Sequence, residues 1–131
     1  IERCMRQVLK TRSLTFRKPD LINAHATSTP MGDYIELDAI KRLGLDDCYI
    51  TANKSQLGHM MGGAGSIETA MSILSIRDNK ITPSVNIDAL ADGYDWVNYT
   101  PISLDKEVNS VLCNSFGFGG TNASIMLESV N

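Results

Sequence analysis

The sequence is short of the features that mark several protein classes. Its three cysteines, Cys4, Cys48 and Cys113, form no CxxC pair and leave an odd count. That argues against a disulfide framework or a zinc ribbon and suits a reducing compartment. There is no excess of basic residues: the net charge is -3, so nothing points to nucleic acid or an anionic membrane as partner. No apolar run approaches the roughly 20 residues that span a bilayer. No signal-peptide pattern opens the chain, and Ile1-Glu2-Arg3-Cys4 reads as the interior of a longer protein. Gly-Lys-Ser/Thr is missing, which excludes a P-loop, and Gly-x-Gly-x-x-Gly is not matched. Histidines number only two.

What is present fits one domain with a modest core: 131 residues, 43% hydrophobic and 21% charged. Residues 2–12 read as an amphipathic helix, with Ile1, Met5, Val8 and Leu9 on one face. Leu21 to Ala24 reads as a short strand. Thr27-Ser28-Thr29-Pro30 then makes a helix start, with Thr29 as cap, Pro30 in the first turn and Asp33 favoured by the helix dipole. That helix runs through Tyr34, Leu37, Ile40 and Leu43 to a stop at Gly44. Cys48 to Ala52 reads as a second strand and Asn53 to Gly63 as a polar, glycine-rich loop. Ala64 to Arg77 is predicted as a helix, apolar on most of its surface and therefore buried. Weak strand signals follow near Trp96–Tyr99. Val108–Asn114 and Ala123–Glu128 read as strands around a glycine-rich connection. Alternation of this kind predicts an α/β layer with a mixed sheet and covering helices. A chain of this size has little material to cover its most apolar helix, so a missing companion layer is expected.

Both histidines sit where a strand gives way to a loop before a helix. In open α/β sheets ligands bind at such strand ends. A single histidine is most simply a surface or satisfied core residue, but His25 and His59 at matching strand ends, beside glycines and hydroxyls, point to a site. Lys54, five positions before His59, is either a solvated loop lysine or a charge that keeps an imidazole neutral. Glu68 is either a first-turn helix carboxylate or a buried partner for Lys54, since burial demands pairing. The run Phe116-Gly117-Phe118-Gly119-Gly120-Thr121-Asn122 is either a flexible hairpin or an aromatic gate in which Phe118 swings on its glycines. A metal site built from His25, His59 and a cysteine has no supporting spacing.

Three segments together resemble the β-ketoacyl-acyl-carrier-protein synthases, condensing enzymes of the thiolase-like superfamily. They are Asn23-Ala24-His25-Ala26-Thr27-Ser28-Thr29-Pro30-Met31-Gly32-Asp33, Asn53-Lys54-Ser55-Gln56-Leu57-Gly58-His59 and Asn114-Ser115-Phe116-Gly117-Phe118-Gly119-Gly120-Thr121-Asn122. The match covers nearly the whole chain, in order, and is nearest the elongating class with a Cys-His-His site. The resemblance implies that residues 1–131 are the C-terminal half of the thiolase-like αβαβα layered fold. It implies decarboxylation by His25, oxygen stabilisation by His59, and support from Lys54 and Glu68. Thr27 and Thr29 would hold the pantetheine arm of an acyl-carrier protein. Phe118 would gate the nucleophile, with amides near Phe118 and Gly119 lining the oxyanion hole. No metal or redox cofactor is implied. The full-length enzyme would be a homodimer that elongates acyl chains from malonyl-carrier protein, with no nucleic acid or membrane partner. It would work in the cytoplasm, or in a mitochondrion or plastid if eukaryotic.

Two departures qualify the resemblance. Ala26 stands where the family usually has glycine, and its methyl strains the turn if φ is positive. The family's nucleophilic cysteine belongs to the N-terminal half, and none of Cys4, Cys48 or Cys113 replaces it by position. This chain alone is therefore expected to be inactive, as a fragment or as part of a split protein. The alternative is a non-catalytic partner such as a polyketide chain-length subunit.

Overall fold

The computed structural model describes residues 1–11 and 18–130. Helix α1 (Glu2–Thr11) opens the chain, and the predicted end at residue 12 lies outside the described residues. In order follow β1 (Leu21–Asn23), α2 (Pro30–Arg42), β2 (Tyr49–Thr51), the one-turn α3 (Lys54–Leu57) and a 3-10 turn at Met61–Gly63. Then come α4 (Ala64–Asp78), β3 (Lys80–Ile81), β4 (Leu104–Asp105), β5 (Ser110–Phe116), a second 3-10 turn at Phe118–Gly120, and β6 (Asn122–Glu128).

The main sheet has the order β2-β1-β5-β6. β1 is parallel to both β2 and β5, and β6 returns antiparallel to β5. This is the mixed sheet with covering helices that the alternation predicts. Strand side chains alternate between faces, and the burial follows that rule. Ile22 and Leu112 point to one side, where they meet Met5 and Leu9 of α1 and Ala39 and Ile40 of α2. Leu21 and Val111 point to the other side, toward Ile81 and Val108. Each fully buried Leu or Ile of this kind contributes about 1.5–3 kcal/mol, so α1 and α2 are held mainly by that apolar contact.

α4 departs from the prediction. A helix apolar nearly all round should be buried, yet its buried residues are Ala64, Glu68, Ser72 and Ser75. Ile67, Ile73 and Leu74 are exposed. The inward stripe is small and polar because it meets polar groups of the sheet: Asn23 Nδ2 donates to Glu68 O at 2.9 Å and to Ser72 Oγ at 2.9 Å. Apolar content summed around the helix conceals this inversion.

Smaller differences have local causes. The predicted loop 53–63 contains α3 and a 3-10 turn, and Lys54 opens α3 rather than lying in open loop. Glu68 lies beyond the first turn of α4. Cys113 lies inside β5, and Cys48, read as the start of the second strand, immediately precedes β2. Thr29 is the N-cap of α2, with extended φ and ψ, but its hydroxyl makes no capping bond. It lies 3.1 Å from the hydroxyl of Thr27 instead. Gly32 leaves room for this: a methyl there would sit 2.5 Å from Thr29 Oγ1. The weak signal near Trp96–Tyr99 is one parallel bridge between Asn98 and Tyr49.

Candidate active site

β1 and β2 run parallel, so the segments leaving their C-terminal ends emerge side by side. β1 delivers His25 two residues after Asn23, and β2 leads through Ala52 and Asn53 into α3 and on to His59. Asn53 is buried and accepts a 2.8 Å hydrogen bond from Thr82 Oγ1. Gly58, at φ +74, closes α3 and turns the chain toward His59. The two imidazoles meet edge to face, with ring centroids 5.8 Å apart and an interplanar angle of 89°. Phe116, at the end of β5, lies with its ring centroid 5.7 Å from that of His25. Three strand ends therefore converge on one place.

Lys54 and Glu68 form the charged base of this place. Lys54 Nζ donates to Glu68 Oε1 at 2.5 Å, and the two side chains are 5% and 2% exposed. Burial raises the Glu68 carboxyl above its ordinary range, while the Lys54 ammonium pulls it back. His25 is half-buried. Burial pushes its imidazole from the ordinary 6.5 to about 4, and the charges on Lys54 and His59 act in the same direction. At neutral pH His25 is therefore a neutral ring. A neutral imidazole donates a hydrogen bond without carrying charge, which suits it to an oxygen that becomes negative during reaction.

The sequence profile of the family described as "Beta-ketoacyl synthase, C-terminal domain" matches residues 1–88. The chain belongs to that family. A curated relative from Coxiella burnetii (strain RSA 493 / Nine Mile phase I), 3-oxoacyl-[acyl-carrier-protein] synthase 2, is 40% identical over 130 residues, covering 97% of this chain and 31% of that protein. The protein of the same name from Rhizobium meliloti (strain 1021) is 44% identical over 131 residues, covering 96% and 30%. The chain thus spans about a third of the curated relatives it matches. Among solved structures, the ishigamide ketosynthase/chain length factor superposes with a TM-score of 0.91 at 30% identity, over 100% of this chain and 33% of that one. A type II polyketide acyl-carrier protein in complex with its ketosynthase bound to the hexaketide, AntDE:AntF, gives 0.91 at 26%, over 98% and 32%. The α/β fold is that of the ketosynthases.

Within this β-ketoacyl synthase domain the structure brings together His25, His59, Lys54 and Glu68. Thr27 and Thr29 line the turn that follows His25, their hydroxyls facing each other. Phe118 stands apart: its ring is fully exposed, on a turn where Gly119 and Gly120 have φ of +75 and +85. Glycine adopts that region freely, which suits the turn that joins β5 and β6. Ala26 has φ +34, the positive value that its methyl makes costly.

Sequence reasoning missed Glu36. It is 2% exposed on α2, and its carboxylate accepts the N–H of His25 and the N–H of Ala26, each at 3.0 Å. Asn114 Nδ2 of β5 donates to the same carboxylate at 3.0 Å. One signal was available: Glu36 shares the inward stripe with Ala39, Ile40 and Leu43 at helical spacing, so it is an acid on an apolar face. Asp33 was legible as a first-turn acid. The N–H groups of Ser28, Thr27 and Thr29 oppose the rise that burial gives its carboxyl.

Among the described residues, no group of three or more His, Cys, Asp or Glu is placed to hold a metal ion. No helix there is long and apolar enough to cross a membrane.

Proposed function

We propose that this chain is the C-terminal part of an elongating condensing enzyme, which extends an acyl thioester by two carbons from malonyl-acyl-carrier protein. The observation that carries the reading is the edge-to-face His25–His59 pair above a buried Lys54–Glu68 ion pair. Decarboxylative condensation needs such a place. The malonyl thioester loses carbon dioxide, and the electron pair of the broken bond becomes an enolate. The enolate carbon then attacks the acyl thioester carbon, and the enzyme thiolate leaves. His25 promotes the decarboxylation, and His59 donates to the thioester oxygen or enolate. Burial first, and then the charge of Lys54, which Glu68 fixes in place, keep the ring of His25 neutral.

Thr27 and Thr29 offer hydroxyls to the pantetheine arm of the carrier protein. Phe118 gates the nucleophile, and amides around Gly119 contribute to the oxyanion hole. The nucleophile itself belongs to a part of the protein that precedes these residues. Burial pushes the Cys48 thiol up to about 12 and raises that of Cys113 as well. Cys4 directs its thiol to Asn122 O at 3.6 Å. Neither Cys48 nor Cys113 is thus an activated thiolate. The full-length enzyme works as a homodimer in the cytoplasm or an organelle, and this chain alone is inactive.

A non-catalytic chain-length partner is the second reading, favoured by the likeness to the ishigamide ketosynthase/chain length factor. Retention of both histidines, Lys54 and Phe118 favours the enzyme. Incubation of the full-length protein with acyl- and malonyl-carrier protein decides between them. The enzyme releases carbon dioxide and a product longer by two carbons, and release of neither overturns the proposal.

A further inference from the structure

α3 is a single turn without the usual supports of a helix. It has four residues, and no side chain caps its start. An isolated turn does not hold in water, because nucleation costs more than its first hydrogen bonds return. Apolar burial does not hold it either: Lys54 is buried, Ser55 is half-buried, and Gln56 and Leu57 are exposed. This turn nevertheless places Lys54 and launches the chain toward His59.

Its support comes from the stretch that follows β3. Every residue from Thr82 to Asn86 is hydrogen-bonded to residues 51–56. Thr51 Oγ1 donates to Thr82 O at 2.8 Å, and Thr82 Oγ1 donates to Asn53 Oδ1 at 2.8 Å. Gln56 Nε2 donates to Pro83 O at 2.8 Å, and the N–H of Ala52 donates to Ser84 Oγ at 2.9 Å. The N–H of Val85 donates to Ser55 Oγ at 3.0 Å, and Asn86 Nδ2 donates to Ser55 O at 3.0 Å. Ser84 is buried and its N–H donates to Thr100 O at 2.8 Å, so the stretch is itself anchored.

The bond from Asn86 decides where α3 stops. In an α-helix each N–H donates to the carbonyl four residues back. Gly58 N–H does so with Lys54 O at 2.9 Å. One more step of α3 would join His59 N–H to Ser55 O. Asn86 Nδ2 holds that carbonyl instead, and Gly58 leaves the helix at φ 74 and ψ 174. Asn86 stands at φ +61, a left-handed value that asparagine adopts more readily than most residues.

We propose that Asn86 is a positioning residue for His59: its side-chain amide takes the carbonyl that a longer α3 would offer to His59, and so ends the helix where the His59 ring meets that of His25. The inference rests on the functional reading above and deepens it. It assigns Asn86 no contact with substrate. With the amide gone, Ser55 O is free to accept from His59 N–H, and winding His59 into the helix carries its ring away from His25.

The test uses the full-length enzyme with Asn86→Gly, Asn86→Asp and the control Asn79→Gly. Glycine and aspartate both accept a left-handed backbone and both lack the amide donor. Asn79 is left-handed too, at φ +50, and caps the C-terminal end of α4, where its Oδ1 accepts the N–H of Val108 at 3.1 Å. The control therefore loses a comparable bond outside the site. Condensation of acyl- with malonyl-carrier protein gives kcat and KM, and imidazole proton resonances give the His25 midpoint without substrate. Both Asn86 variants are expected to lower kcat about tenfold, with KM within about threefold, as a small displacement of one catalytic group does. Burial and Lys54 still depress the His25 midpoint, but the smaller contribution of His59 is withdrawn, so the midpoint rises above its wild-type value. Asn79→Gly keeps kcat within about twofold and leaves the midpoint in place. Equal kcat in wild type and both Asn86 variants overturns the inference. A fall in kcat that Asn79→Gly shares, or a His25 midpoint unmoved in the Asn86 variants, marks a merely structural residue and overturns it also. If Asn86→Asp yields no folded protein, Asn86→Gly decides by the same criteria. A wild type that makes no product sinks the functional reading and this inference with it, whereas an active wild type beside unaltered variants sinks the inference alone.

Discussion

His25 and His59 face each other at 5.8 Å and differ in almost everything else. His25 follows a buried strand directly, is half-buried, and has its backbone N–H held by Glu36. His59 is exposed and follows a one-turn helix and a left-handed glycine. The protonation state and position of His25 are set by groups within this chain. His59 takes its place from the backbone path, with the His25 ring beside it and the Glu68 carboxyl near enough to feel its charge. A site can thus be half preorganised and half open, with the preorganised half legible from a single domain.

The first way to break the comparison is to remove the ring that is fixed. In the full-length enzyme His25→Ala is expected to cut malonyl decarboxylation on the order of 10³-fold while leaving acyl transfer in place. Undiminished carbon dioxide release would mean that burial and a neutral ring serve some other end. Next in size is the charged base. Lys54→Met leaves a buried carboxylate without its partner and should destabilise the fold by about 3–5 kcal/mol, read from the denaturation midpoint. A change below about 1 kcal/mol would show the Lys54–Glu68 pair to be dispensable.

The smallest effect is the one that sharpens the contrast. The His25 pKa lies near 4 rather than 6.5. Between those two values the unfolded chain binds a proton at this position that the folded chain refuses. The contribution of His25 to stability therefore falls as pH drops from 6.5 toward 4 and levels off below, whereas above 6.5 it is constant. Imidazole proton resonances, followed across that range, should place the His25 midpoint near 4. Since burial is the leading cause and Lys54 the second, Lys54→Met should move the midpoint only part of the way back to 6.5. A midpoint already at 6.5 in the wild type would show that burial does not hold the His25 ring neutral.

Much of this arrangement was legible in the residues because strand ends announce themselves. Leu21-Ile22-Asn23 and Tyr49-Ile50-Thr51 are short, mainly apolar or β-branched runs, and each leads into a more polar loop sequence that carries a histidine. Lys54 and Glu68 could be paired on cost alone, since two charges that are buried must meet. Glu36 was harder. A carboxylate in a helix is ordinary, and only its place on the apolar stripe of α2 sets it apart. β3 and β4 have two residues each, too few for a periodic signal. α4 misled for the opposite reason: its signal was strong, but total apolarity does not say which side faces the sheet.

The inverted polarity of α4 decides what a mutational scan can detect. Ile67, Ile73 and Leu74 lie exposed, so replacing them by serine should change the folding stability of this chain by no more than about 0.5 kcal/mol. Glu68 and Ser72, on the buried stripe, register fully. Scanned on this chain alone, the greasiest side of the helix ranks as tolerant and the polar side as essential. The same scan in a longer protein that covers α4 would make the apolar side sensitive as well. The positions where the two scans part company trace the footprint of the covering surface, residue by residue.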